Sequence, residues 1–431
     1  MAERPVVLRG GRVVDPAGEL DAVLDLRLAA GRIAAVGEDL AEPGDRVVDV
    51  DGLVAAPGFC DMHVHFREPG LEYKETVGSG AAAAVAGGFT AVACMANTDP
   101  VNDNPSVTAH IRQLAEQTGL AHVHPIGATT QGMNGERISE FGALKEAGAV
   151  AVSDDGLPVG DPAVMRKALE YSRLHDLPVI EHCETLELTG EGAMREGAYA
   201  AWIGLPGIPA ASEFIAVERN VALAEMTGAR LHIAHLSTER SAAAVRRAKA
   251  AGMRVTAEIT PHHLVLTEEA VGDYDTAAKM KPPLAADADR EALLTALVDG
   301  TADAIATDHA PHHEDEKKLC FQSAPFGIVG LETAVPLILD RLVAPGAISL
   351  AQAIRLLSTG PRRILGLPGG NLRPGSPADI TLLDLEATGT IDPASFRSRG
   401  RSTPFAGLSL KGQVAATWVG GREVYSRDAG R

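Results

Sequence analysis

Between residues 53 and 312 the chain repeats one pattern, a short apolar run followed by a longer Ala-rich stretch of helical period. Eight such runs can be read: LVAAPGFCDMHVHF, FTAVACMANT, AHVHPIGATT, AVAVSDD, PVIEHC, ARLHIAHLS, MRVTAEIT and ADAIATDHAPH. Helices are expected between them at 73–86, 161–174, 212–227, 238–251 and 287–297. Alternation of this kind predicts a parallel sheet, because parallel neighbours need a long crossover and that crossover is usually a helix. Eight units fit a (β/α)8 barrel. An open doubly wound sheet is the competing architecture, but the chain has no Gly-rich dinucleotide fingerprint after its first strand and no P-loop.

The flanks have a different texture. VVLRGGRVVD, AVLDLRLAAGRIAAVG and RVVDVDG read as alternating strands broken by Gly, and PGSPADITLLDL and QVAATWVGGREVYS resume that style near the other end. The expected organisation is therefore a small β-sandwich domain built from residues 1–55 and 371–431, with a barrel over residues 56–370. A length of 431 residues, beyond a typical single core, suits one large domain with an accessory one.

A formal net charge of −18 sets the average field against nucleic acid and anionic membrane, so neither is expected as a partner. An anionic small molecule would need a local cationic pocket. No apolar run is long enough to span a bilayer, and MAERPVVLRGGRVVD lacks the apolar stretch of a signal peptide, so a cytoplasmic location is expected. Cys60, Cys94, Cys183 and Cys320 form no C-x-x-C pair, which leaves His and carboxylate as the ligands for any metal.

Those residues are not scattered. His63 and His65 close the first predicted strand, Asp154 and Asp155 the fourth, His182 the fifth, His235 the sixth and Asp308 the eighth. In a (β/α)8 barrel the carboxyl ends of the strands share one mouth, which is where active sites sit. His63 and His65, two apart in a strand, project to one side. Four imidazoles and two carboxylates suit zinc, and also manganese or cobalt. They are too many for one open catalytic ion, whereas two ions a few ångströms apart need a shared carboxylate that Ser-Asp-Asp-Gly can supply. Such a pair acidifies water and polarises a carbonyl, the chemistry of amide hydrolysis. His122, His124 and His232 are read as satisfied interior side chains.

The segments DMHVHFREPG, MANTDP, SDDG, EHCE, HIAHLST, TPHHL, ATDHAPHHEDEK and APFGIVGLET, in that order, resemble the motif series of the dihydroorotase family within the amidohydrolase superfamily. The resemblance runs from about residue 5 to the C-terminus. It implies two Zn2+ ions per subunit, with His63, His65 and Asp308 on one, His182 and His235 on the other, and an aspartate bridging both. Many relatives bridge with a carboxylated lysine on the fourth strand; AVAVSDDG offers only carboxylates, as in the bacterial branch of the family. The family spacing to His182 selects Asp155, with Asp154 as the alternative.

The implied reaction is reversible ring opening of L-dihydroorotate to N-carbamoyl-L-aspartate in pyrimidine biosynthesis, with Asp308 also moving the proton. Arg67, two residues beyond His65, has a planar fork that matches a substrate carboxylate. Asn97 and His312 complete the family's carboxylate-binding set, and the Phe326-Gly327 backbone is carried over as a ring contact. HHEDEKKLCFQS is long enough for a lid. Two positions depart from the family pattern: Lys281 replaces an Asn before the PPL segment and Ala285 an Arg after it, with Arg290 nearby as a substitute. Lys281 is kept as a substrate-binding candidate.

The alternatives are a hydantoinase, dihydropyrimidinase or allantoinase, or a non-catalytic partner of aspartate transcarbamoylase. A homo-oligomer is expected, and an active enzyme can still assemble with that transcarbamoylase.

Overall fold

A computed structural model describes residues 4–427. The barrel strands are Phe59–Val64, Phe89–Cys94, His122–Pro125, Val179–Glu181, Leu231–Ile233, Val255–Ile259 and Ala304–Ile305. The first three pair in parallel, as do the last four. Val152 joins the two groups, bridging Gly127 on one side and Val179 on the other. The ring closes where Val64 bridges His309, and the His65 amide donates to the His309 carbonyl at 2.8 Å. The run AVAVSDD thus contributes one bridging residue rather than a strand. Beyond it the chain turns so that Asp154 accepts the Thr130 amide at 3.0 Å.

Small and medium side chains fill the barrel. Met62, Ala93, Ile126, Ala151, Ile180, Ala234 and Ala306 form one buried cluster, stoppered by Ile364 and Leu365. The first strand slips register against its neighbour between Asp61 and Val64. A bulge changes which side chains face inward, so Met62 joins the interior cluster while His63 and His65 also turn into the mouth. Asp61, fully buried, accepts the His63 amide at 3.1 Å and the Thr307 amide at 3.2 Å, tying the first strand to the eighth.

The five expected helices are present as Val77–Ala86, Pro162–Leu174, Ala211–Thr227, Glu239–Ala250 and Asp287–Val298. The first starts later than its apolar pattern because Thr76 forms a capping box with Ser79, a feature that stabilises a helix start by about 1 kcal/mol. Asp161 and Thr238 cap two others.

Both flanks meet in one eight-stranded sheet. Ile380–Thr390 lies antiparallel to Val54–Pro57, which lies parallel to Val6–Asp15. Leu8, Leu26, Ile33, Ile380, Leu382 and Trp418 give this sheet its own core. Two of the Gly-broken runs are hairpins: Leu20–Ala29 with Arg32–Gly37, and Ser409–Val419 with Arg422–Ser426. Their turns, Ala30-Gly31 and Gly420-Gly421, have positive φ at both positions, as a two-residue hairpin requires. Among the described residues no helix is long and apolar enough to cross a membrane.

Candidate metal centre and substrate cavity

Strand ends bring His63, His65, Asp155, His182, His235 and Asp308 together at the barrel mouth, all buried. Nε2 of His63 and of His65 lie 3.4 and 3.3 Å from Asp155 Oδ2. They lie 3.5 and 3.1 Å from Asp308 Oδ1. The other Asp155 oxygen, Oδ1, is 3.7 Å from His182 Nδ1 and 3.4 Å from His235 Nε2. Two trios, His63/His65/Asp155 and Asp155/His182/His235, therefore share one carboxylate. Asp154 faces away, bonded to the Thr130 amide and hydroxyl.

The outward nitrogens fix which lone pairs face inward. His63 Nδ1 meets Glu258 at 2.6 Å, His65 Nδ1 meets Asn97 Oδ1 at 2.9 Å and His182 Nε2 meets Glu184 at 3.0 Å. Each imidazole donates on that side, leaving an acceptor nitrogen aimed at the carboxylates. Acceptors facing acceptors in a buried site repel one another unless a cation lies between them. His63 Nε2 and Asp155 Oδ1 have no hydrogen-bond partner among the described residues. A proton on His63 fills the same part as a cation: burial alone would raise the Asp155 pKa, but the charge of His63 and the bonds from the other imidazoles outweigh it and hold the carboxyl well below its usual range. Ligand types and geometry both fit divalent metal.

The backbone is strained at this mouth. Arg67, His235 and Asp308 have φ of 63°, 30° and 48°, in the left-handed region that costs a non-glycine residue about 1–3 kcal/mol. The barrel around them supports this cost, and each side chain enters the site from a turn just beyond a strand.

Beside the trios opens a cavity of about 280 Å³, whose lining includes Arg67, Asn97, Lys281, His312, Phe326 and Gly327. Arg67 is half-buried, and its Nε donates to the Pro311 carbonyl at 3.3 Å. It makes no ion pair with Glu68 or Glu72, whose carboxylates instead accept the Val77 and Gly70 amides. His312 donates from Nε2 to the Phe326 carbonyl at 2.8 Å, and Lys74 Nζ lies 3.3 Å from its Nδ1. Burial, helped by the charge of Arg67, pushes its pKa down to about 2, so the ring is neutral. Gly327 has φ of 128°, and a Cβ there would stand 2.8 Å from the Ala310 carbonyl. Lys281 Nζ pairs with Glu184 at 3.0 Å. Ala285 is buried, and Arg290 is paired with Asp287 and Glu291, so it does not fill the place of the missing arginine.

Sequence reasoning missed the residues behind the imidazoles. Glu258 holds His63 and also His232, at 3.2 Å; its signal was a charge within the apolar run MRVTAEIT. Glu184, two residues after His182, stood in EHCE without a role. Asp61 preceded the H-x-H pair, and nothing local marked it as the link to the eighth strand.

Barrel and mouth together define the class: a hydrolase of the amidohydrolase fold with a His/Asp cluster suited to metal. In structure the chain is similar to an L-hydantoinase (dihydropyrimidinase) from Arthrobacter aurescens, with a TM-score of 0.89 and 23% identity, covering 99% of this chain and 97% of that one. A dihydropyrimidinase from Brevibacillus agri gives 0.83 at 22% identity, covering 98% and 95%. At such identity the likeness is one of fold.

Sequence is more specific. A family model described as dihydro-orotase-like matches residues 52–241. A dihydroorotase from Syntrophotalea carbinolica is 52% identical over 97% of this chain and 99% of its own length. One from Solibacter usitatus is 49% identical over 99% of each. The chain belongs to the dihydroorotase family.

Proposed function

We propose that this chain hydrolyses the ring amide of L-dihydroorotate reversibly to N-carbamoyl-L-aspartate, the dihydroorotase step of pyrimidine biosynthesis. The observation that carries the reading is the pairing of the His/Asp cluster with a cavity walled by Arg67, in a chain about half identical to dihydroorotases along nearly its whole length. The catalytic unit is the barrel, taken as residues 56–370. Residues 1–55 and 371–431 are assigned to the accessory β domain, a division supported by the sheet that strands from both described flanks share.

His63, His65 and Asp308 would hold one ion, His182 and His235 the other, with Asp155 between them; the His-rich set favours zinc. Bound there, the ions supply Lewis acidity toward the ring carbonyl and lower the pKa of water. The chain's residues do the rest. Arg67 receives the substrate carboxylate through its guanidinium fork and the Asn97 amide donates beside it, while neutral His312 lines the same pocket and spends its one N–H on the Phe326 carbonyl. The Phe326-Gly327 backbone approaches the ring, which the absence of a Cβ at Gly327 permits. Asp308 takes the proton from water as its oxygen bonds to the carbonyl carbon, then gives it to the ring nitrogen as the C–N bond breaks. Lys281, paired with Glu184, faces the same cavity and would contact the ureide part of the ring.

The test is metal-dependent loss of L-dihydroorotate by the purified protein, with dihydrouracil, hydantoin and allantoin run alongside. Turnover of dihydroorotate that vanishes in Asp308→Asn supports the reading. Turnover of a neutral ureide alone sinks the role given to Arg67.

A further inference from the structure

Behind the cavity wall lie two buried lysines that the proposed reaction does not use as acid or base. Lys317 Nζ donates to the carbonyl oxygens of Lys279 at 3.3 Å, Pro325 at 3.0 Å and Gly327 at 2.9 Å. Lys279 Nζ donates to those of Phe321 at 2.7 Å, Gln322 at 3.0 Å and Ala324 at 2.7 Å. An ammonium has three N–H groups, and each of these finds a backbone oxygen. Among the described residues neither lysine has a carboxylate within ion-pair distance.

The pair sits between the cavity and two chain segments. The Gly327 amide donates to the Lys279 carbonyl at 2.9 Å, and Lys279 Nζ lies 4.4 Å from the centre of the Phe326 ring. Thr276 Oγ1 donates to the Lys317 carbonyl at 2.5 Å, fixing the helix Glu314–Lys317 from its other side. Carbonyls 325 and 327 thus turn toward Lys317, while carbonyl 326 turns to His312. Buried oxygens left without donors would each cost about 1–3 kcal/mol, so the segment 321–327 holds this shape only while the ammonium groups are in place. Burial draws both groups down, Lys317 to about 7 and Lys279 to about 8; the three carbonyls around each favour the charged form.

We infer that Lys317 and Lys279 are positioning residues: their ammonium groups, each bonded to three carbonyls, set the Phe326-Gly327 backbone where it meets the substrate ring. The inference rests on the proposed role of that backbone. The segment HHEDEKKLCFQS, expected as a lid, is in this account partly a strut, anchored through Lys317.

Metal-loaded full-length wild type, Lys317→Met, Lys279→Met and Lys317→Arg test it. Amide exchange over 321–328 is read without substrate, alongside KM, kcat and bound metal. In the Met variants exchange should quicken and KM rise about tenfold or more, the weight of one hydrogen bond to a charged group. Bound metal should not change, and kcat should stay within about threefold, because the interaction lost is one of ground-state binding. Arg keeps the charge, but its planar fork cannot meet three converging oxygens, so an intermediate KM is expected. Unchanged exchange, unchanged KM, or a fall in kcat that follows loss of metal overturns the inference. If Lys317→Met does not fold, Lys279→Met and Lys317→Arg carry the same test. If wild type turns over a different ureide, the substrate reading fails, while the exchange data and KM for that ureide still judge the lysines.

Discussion

The two trios at the barrel mouth share Asp155 but are not held alike. In one, both imidazoles are buttressed, His63 by Glu258 and His65 by Asn97, and Glu258 is itself fixed by His232. In the other, His182 leans on Glu184, a residue also claimed by Lys281, and His235 Nδ1 has no hydrogen-bond partner among the described residues. Outer hydrogen bonds fix ring orientation and raise ligand basicity, so the first trio is the firmer cradle. Two such trios can thus be built unequal from the same residue types, the difference lying in what stands behind them.

Removing the shared group should have the largest effect. Asp155→Ala should empty both positions, with metal analysis showing little bound ion and no measurable turnover; retention of one full equivalent would mean that the trios are independent. Next, Asp308→Asn should lower kcat by about 10²–10⁴-fold, the usual weight of a general acid–base group, while retaining more metal than Asp155→Ala. Arg67→Met should raise KM about tenfold or more for an acidic substrate, the cost of losing a charged hydrogen bond, and leave a neutral ureide unaffected. Glu258→Gln should weaken metal binding about 10–100-fold, and chelator titration of wild type should show two phases with the His182/His235 position emptying first. A single phase would erase the distinction between the trios. The smallest effect is a flat one: with its pKa near 2, His312 should contribute no limb to the pH profile of KM between about pH 5 and 8.

The barrel was readable because eight apolar runs alternate with capped helical segments. The six cluster residues were readable because all stand at or near the carboxyl ends of such runs. What could not be read depends on contacts between distant parts of the chain. The single-residue pairing at Val152 follows from the turn that Asp154 and Thr130 make, and a sequence window cannot see that bond. Glu258 and Glu184 looked like ordinary charges because their partners lie on other strands or carry no local mark. Lys317 stood in the polar run HHEDEKKLCFQS and Lys279 beside Met280 without any local mark; only the fold turns six carbonyl groups toward them.

The closure of this molecule also constrains when it can form. The Phe59 amide donates to Thr381 Oγ1, 322 positions along the chain, at 3.3 Å, and the first barrel strand meets the eighth at His309. During synthesis at about 5–20 residues per second, the early strands would wait tens of seconds for these partners. An unpaired apolar strand edge is a template for other chains throughout that wait. Yield in the cell should therefore respond to translation speed and chaperone supply more than to the stability of the finished barrel.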